Sequence, residues 1–162
     1  MSENRTEKEV LIAAMTRELA TTLRVIQAFP QSEMHFKPHE RSSSAEKVLK
    51  GIVSAMGMMQ GALEGKMDMD KLRGYAPGDL MQISDDFEKA SSDLLKAVEH
   101  ASAEQLNKKV DFFGSEMRAI DIVSLVLFDQ VHHRGQMSVY IRMAGGKVPS
   151  IYGPSADSEP GE

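Results

Sequence analysis

The sequence predicts an all-α fold, a four-helix bundle of long up-and-down helices with an extended C-terminal tail. Three observations carry this. Four stretches place apolar residues at three- and four-residue steps, capping signals stand at the heads of the first three, and no run alternates apolar and polar residues as a strand would.

The first helix is predicted over residues 7–29, where Leu11, Met15, Leu19, Leu23, Ile26 and Phe29 share a face and Thr6 and Glu9 are spaced as a capping box. Pro30 disfavours the α conformation at Phe29 and ends it. The second, over 43–64, opens on Ser43-Ser44-Ala45-Glu46, runs through Val48, Ile52, Met56, Met59 and Leu63, and stops near Gly65. The third, over 79–101, carries Leu80, Ile83, Phe87, Leu94 and Val98, with Asp79 as N-cap and Gln82 as its partner. Residues 66–76 read as an irregular loop. The longer connection before the last helix holds Leu106, Val110, Phe112 and Phe113 and is expected to pack over one end of the domain. The last helix is predicted over 116–144, stopped by Gly145-Gly146. Its apolar residues between Ile120 and Val131 point around nearly the whole cylinder, which predicts a first half enclosed by protein, a central or interface helix. The tail, 145–162, holds Pro149, Pro154 and Pro160 and cannot be helical throughout; Ile151 and Tyr152 are expected to anchor its first part.

A chain of 162 residues fits one domain, residues 1–162, and is long enough to bury roughly 70% of its unfolded surface. With no cysteine, disulfides, thiolate catalysis and cysteine-ligated zinc are all excluded. The polar N-terminus lacks the apolar core of a secretory signal, and the longest apolar run, 122–128, falls far short of the roughly 20 residues that span a bilayer. The expected location is the cytoplasm, with no membrane segment. Net charge is −5 and basic residues sit singly among acids, so they read as solvated helix faces and nucleic-acid binding is disfavoured.

The chemistry-grade signal lies in the last helix. Ile122, Val126, Asp129, His133, Gln136 and Tyr140 form one stripe at helical spacing, with its polar members in the middle. If the stripe faces the interior, Asp129 and His133 can contact one divalent ion, because carboxylate oxygen and imidazole nitrogen both suit Zn, Ni, Fe or Mn, with Gln136 supporting them. The commoner alternative is an internal polar pair without metal. His35 and His39 are loop histidines that in principle offer a replacement ligand and more often are simply exposed. His100 reads as favourable charge at a helix C-terminus. His132, about 100° round the helix from His133, is directed at another helix, a subunit or solvent. Arg134 and Arg142 are expected to pair with acidic groups on the tail or a partner chain. Twelve methionines, among them Met56, Met58 and Met59, suit gap-filling core more than a promiscuous pocket. Ser124 lies more than two turns from His133, which discards a serine triad.

His132-His133-Arg134-Gly135-Gln136, then Tyr140-Ile141-Arg142-Met143-Ala144-Gly145, then the tail from Val148-Pro149-Ser150-Ile151-Tyr152-Gly153-Pro154 to Asp157 resemble the DinB-like proteins over nearly the whole chain. The resemblance implies a metal-binding four-helix bundle of the DinB/YfiT type in which three histidines hold a divalent ion. Of these only His133 survives. One ligand falls on Asp129 and the second-helix ligand on Gly51, which has no side chain, so the implied triad is broken. Two functional expectations follow. One is a bundle with a degenerate or rebuilt metal site and no assignable activity, serving in ligand binding or stress-related interaction. The other is a metal-dependent S-transferase or related enzyme, in which the ion activates a low-molecular-weight thiol against a small electrophile. Family habit and the apolar surface of the last helix together imply a homodimer.

Overall fold

The computed structural model describes residues 5–158, without the side chains of residues 71 and 72, so the ends of the predicted tail and N-terminus lie outside the described residues. Its four long helices are α1, Glu7–Gln27; α2, Ala45–Glu64; α4, Leu80–His100; and α6, Ala119–Met143. Two short helices intervene, α3, Met69–Arg73, and α5, Ala103–Asn107, with a hairpin of β1, Lys109–Phe112, and β2, Ser115–Arg118. The helices α1 and α2 each pack against both α4 and α6, which sets α1 opposite α2 and α4 opposite α6 across the bundle. Met15, Ile26, Leu49, Ile52, Met59, Ile83, Phe87 and Met137 fill the space between them, and all are fully buried.

The caps explain the helix starts. Thr6 and Glu9 form the reciprocal box, each side chain bonding the other's backbone N–H. At α2 the cap is Ser44, whose Oγ accepts from the Lys47 N–H; Glu46 does not close a box and instead pairs with Lys50 at 2.6 Å. Asp79 accepts from the Gln82 N–H, while Gln82 Oε1 takes the Gly78 N–H. Gly65 ends α2 at φ 78°, the left-handed conformation that glycine adopts without strain.

Three expectations are corrected. Residues 69–73 of the expected loop form α3. The last helix starts at Ala119, because residues 116–118 belong to β2, which pairs antiparallel with β1 so that Val110 faces Met117 and Phe112 faces Ser115. The turn uses Phe113 at φ 51° and Gly114 at φ 85°, the two consecutive positive angles that a tight hairpin needs. As expected, Leu106 and Val110 are buried and this connection packs on α6. Thirdly, α6 is not enclosed: it is a corner helix with Ile122, Val123, Val126 and Leu127 inside and Leu125 and Phe128 in solvent. Among the described residues no helix is long and apolar enough to cross a membrane.

Arg118 joins the heads of α1 and α6. Its guanidinium donates to Asp121 at 2.7 and 2.8 Å and to Glu7 at 3.1 Å, and it holds both carboxyls below their usual range.

Candidate metal site on the last helix

Two contacts fix how α6 lies along α2. Tyr140 Oη donates to the Ser43 carbonyl at 3.1 Å, and Gln130 Nε2 donates to the Ile52 carbonyl at 3.2 Å. The helices are therefore antiparallel, and the turn of α2 that contains Gly51 is level with the stretch of α6 just after Gln130.

From Tyr140 a hydrogen-bonded line runs back along the stripe. Gln136 Nε2 donates to Tyr140 Oη at 3.1 Å, and Gln136 Oε1 lies 3.2 Å from His133 Nδ1. With the amide so placed, Nδ1 carries the imidazole hydrogen and Nε2 faces Asp129 Oδ2 at 3.5 Å. Two donors on one tetrahedral zinc stand about 3.4 Å apart, so the spacing of this pair suits a shared ion, and Gln136 holds the ring as an outer-shell partner does.

The surroundings do not complete a site. Ile122, Val126 and Tyr140 are buried as the stripe predicts, but the Asp129 side chain is 56% exposed and that of His133 35%, so the polar middle lies at the rim of the bundle and not inside it. A helix turns its faces every 100°, and Gln130 and Arg134, one position further round, take the interior instead. Gly51 is exposed, and a Cβ added to it meets nothing within 4 Å. Among the described residues no three His, Asp or Glu side chains converge on an ion. His35 is exposed and lies 3.5 Å from Glu46; His39 Nδ1 accepts from the Arg41 N–H; His100 Nδ1 lies 2.7 Å from the Lys96 carbonyl. None joins Asp129 and His133. The exposed His132 ring meets His133 edge-on. Ser124 Oγ donates to the Ile120 carbonyl.

The polar centre of the fold lies one position further round α6 and was only half visible in the sequence. Arg134, 1% exposed, donates through Nη1 to the Glu18 carbonyl at 3.1 Å and through Nη2 to Glu18 Oε2 at 2.8 Å. Tyr152 of the tail donates to the same carboxylate at 2.7 Å, accepts from Arg134 Nη2, and turns its ring toward the guanidinium. Burial pushes the Glu18 carboxyl up, but hydrogen bonds from Tyr152, Arg134 and Arg17 outweigh it and hold the group below its usual value. Burial, then the bond to Glu18, pushes the Tyr152 phenol up. Arg142 pairs with Asp157, whose carboxylate also takes the Val148 N–H. Arg142 thus meets an acid of the tail, as expected, whereas Arg134 meets neither a tail acid nor a partner chain's but Glu18 of α1, which no local signal announces. Met56 and Met59 are core, and Met56 Sδ lies against Gln130 Nε2. Gln130 Oε1, buried between α2 and α6, has no partner among the described residues.

A helical bundle with this stripe and a strapped tail is matched by one family model, and the chain belongs to the DinB family over residues 1–161. It is 34% identical over 76 residues to the uncharacterised protein YrdA of Bacillus subtilis (strain 168), a match that covers 46% of each chain and so less than half of that relative's length. It is 25% identical over 115 residues to the uncharacterised protein YjoA of the same organism, covering 68% of this chain and 73% of YjoA. Among solved structures, a DinB-like protein from Bacillus cereus ATCC 10987 superposes with a TM-score of 0.76 over 88% of this chain and 95% of its own, at 23% identity. The DinB-like YjoA structure gives 0.69 over 93% and 99%, at 19% identity. At such identities the superpositions show the fold alone, and no specific activity comes with the relatives.

Proposed function

We propose that this protein is a DinB-family bundle whose metal centre is degenerate, and that it acts in binding or stress-related interaction without catalysing a reaction. The observation that carries the reading is the pairing of two donors with a missing third. Asp129 and His133 are placed to share an ion, but Gly51, level with them on α2, offers no ligand, and among the described residues no histidine or carboxylate replaces it. An ion held by two side chains at a surface 56% and 35% exposed keeps most of its coordination to water, so its affinity is low. The three-ligand centre does not fit these residues.

One observation favours the second reading, a divalent-metal enzyme acting with a low-molecular-weight thiol: the imidazole is held by Gln136 with Nε2 turned to Asp129 Oδ2, as a ligand would be. Elemental analysis by mass spectrometry decides between them, on untagged protein purified without chelator, beside Asp129→Ala and His133→Ala. The proposal expects far less than one transition metal per chain. Near one equivalent, lost in both variants, overturns it and establishes a rebuilt Zn, Ni, Fe or Mn site.

A further inference from the structure

Two sets of ion pairs fasten α1 and α6 side by side and parallel. At the head of both helices Arg118 bridges Glu7 and Asp121, and further along Arg134 meets Glu18. Glu7 and Glu18 are eleven residues apart on α1, about 16 Å of helix. Between these fastenings the helices do not close on each other, and a cavity of about 360 Å³ opens to solvent there. Its cause is local, because Ala14 of α1 and Ser124 of α6 are the smallest side chains of its lining. The space they leave is walled by Leu11, Ile120 and Leu127, all buried, and by Val10 and Phe128, which are 53% and 69% exposed.

The polar groups of the cavity are few. Arg118 compensates Glu7 and Asp121, and Arg5 stands at the mouth, so two cations face two carboxylates there. An anion that approaches Arg5 also approaches Glu7 and Asp121, and a cation that approaches those carboxylates meets Arg118 and Arg5. An ion therefore gains little for the water it gives up. Ser124 is the exception to this balance. Its Oγ commits its one hydrogen to the Ile120 carbonyl at 2.9 Å, so the oxygen can only accept, and among the described residues no group donates to it.

We propose that this cavity binds a small uncharged molecule with an aromatic or branched aliphatic body and one hydroxyl or N–H. The body lies against Leu11, Ile120 and Leu127 beside Phe128, and the donor meets Ser124 Oγ. The size, the apolar lining with one placed acceptor, and the position between bundle helices are those of a small-molecule site. Walls already fastened at both ends need little ordering by the ligand, which favours binding. Neither Asp129 nor His133 lines the cavity, so this site stands or falls apart from the metal content.

The chain has no tryptophan, so the fluorescence anisotropy of 2-naphthol follows binding directly. Wild type should bind 2-naphthol with a Kd on the order of 100 μM. Ala14→Phe, with helicity unchanged by circular dichroism, should fill the space and weaken binding about tenfold or more. Ser124→Ala should weaken 2-naphthol about fivefold and leave 2-methoxynaphthalene, which has no hydrogen to donate, as it was. The anion 2-naphthoate and the cation 2-naphthylmethylammonium should each bind about tenfold more weakly than 2-naphthol. No saturation below about 1 mM, wild-type binding by Ala14→Phe, or equal losses of both neutral probes in Ser124→Ala would each overturn the proposal. So would either ion binding as tightly as 2-naphthol, or an affinity that falls as protein concentration rises, which would assign the cavity to a second copy of the chain.

Discussion

Arg134 and Glu18 stand 116 residues apart in the sequence and form a buried ion pair of 2.8 Å that also takes in the Glu18 carbonyl. A charge that has left water is stable only while its partner remains, and removing one member leaves the other uncompensated. Arg134→Met is therefore expected to lower the unfolding free energy by about 3–5 kcal/mol, whereas the double variant Arg134→Met, Glu18→Leu should recover most of that loss. Urea denaturation of the four corners of the cycle measures it. A double variant no more stable than the single would contradict the pairing.

Acid should attack the same place. Glu18 has its folded pKa held below the usual value near 4.5, and Asp157 below 3.8. A carboxyl with a depressed folded pKa contributes stability that is complete above its unfolded value and disappears as pH falls through the folded one. The urea midpoint should stay level down to about pH 5 and then fall. Glu18→Gln should lower the plateau and flatten the acid limb; the half-buried Asp157 should matter less, because its partner Arg142 is exposed and screened by water. An acid limb unchanged in Glu18→Gln would assign the effect to other groups.

Two glycines of α2 should respond in opposite directions. At the exposed Gly51 an added Cβ meets nothing, so Gly51→Ala should stabilise the fold by about 0.5–1 kcal/mol through helix propensity alone. At the buried Gly61 the same carbon would sit 2.8 Å from the Lys66 carbonyl oxygen and 3.1 Å from Met67 Cα, backbone that cannot step aside, so Gly61→Ala should destabilise it. Thermal melts of the two variants give the signs.

The degenerate centre should be repairable. Gly51 has room for a histidine, and Asp129 and His133 already face one another. Gly51→His with Asp129→His should take up about one zinc per chain, and removing it with chelator should lower the melting temperature. Failure to bind would mean that position 51 does not reach His133.

Much of this architecture was legible because it rests on local rules. Thr6 with Glu9, Ser44 and Asp79 announce helix starts through hydrogen bonds to residues three positions on, and the apolar steps name the buried faces of the first three long helices. The hairpin was not legible. Its strands have four residues each, too short for a period of two to stand out, and Phe113 occupies a turn position where asparagine or aspartate would have given the signal beside Gly114. At the candidate site the stripe was found but its tilt was not: half the distance between two helix faces separates Asp129, in solvent, from Gln130, in the core, and only the partners Ile52 on α2 and Ser43 just before it fix which one turns inward. The acid that Arg134 meets lies on the first helix, beyond the reach of any sequence spacing.

The tail ties the first helix to the end of the chain. Tyr152 supplies the oxygen that finishes the coordination of both Glu18 and Arg134, and Asp157 fastens the segment by gripping Arg142 and the Val148 N–H. A chain that has formed all four helices but not yet laid down residue 152 holds an incompletely dressed charge pair, open to water on the side the tail will cover. The charge pair is therefore fully satisfied only with the tail in place, and a chain deprived of residue 152 should keep its helices but hold this pair less firmly.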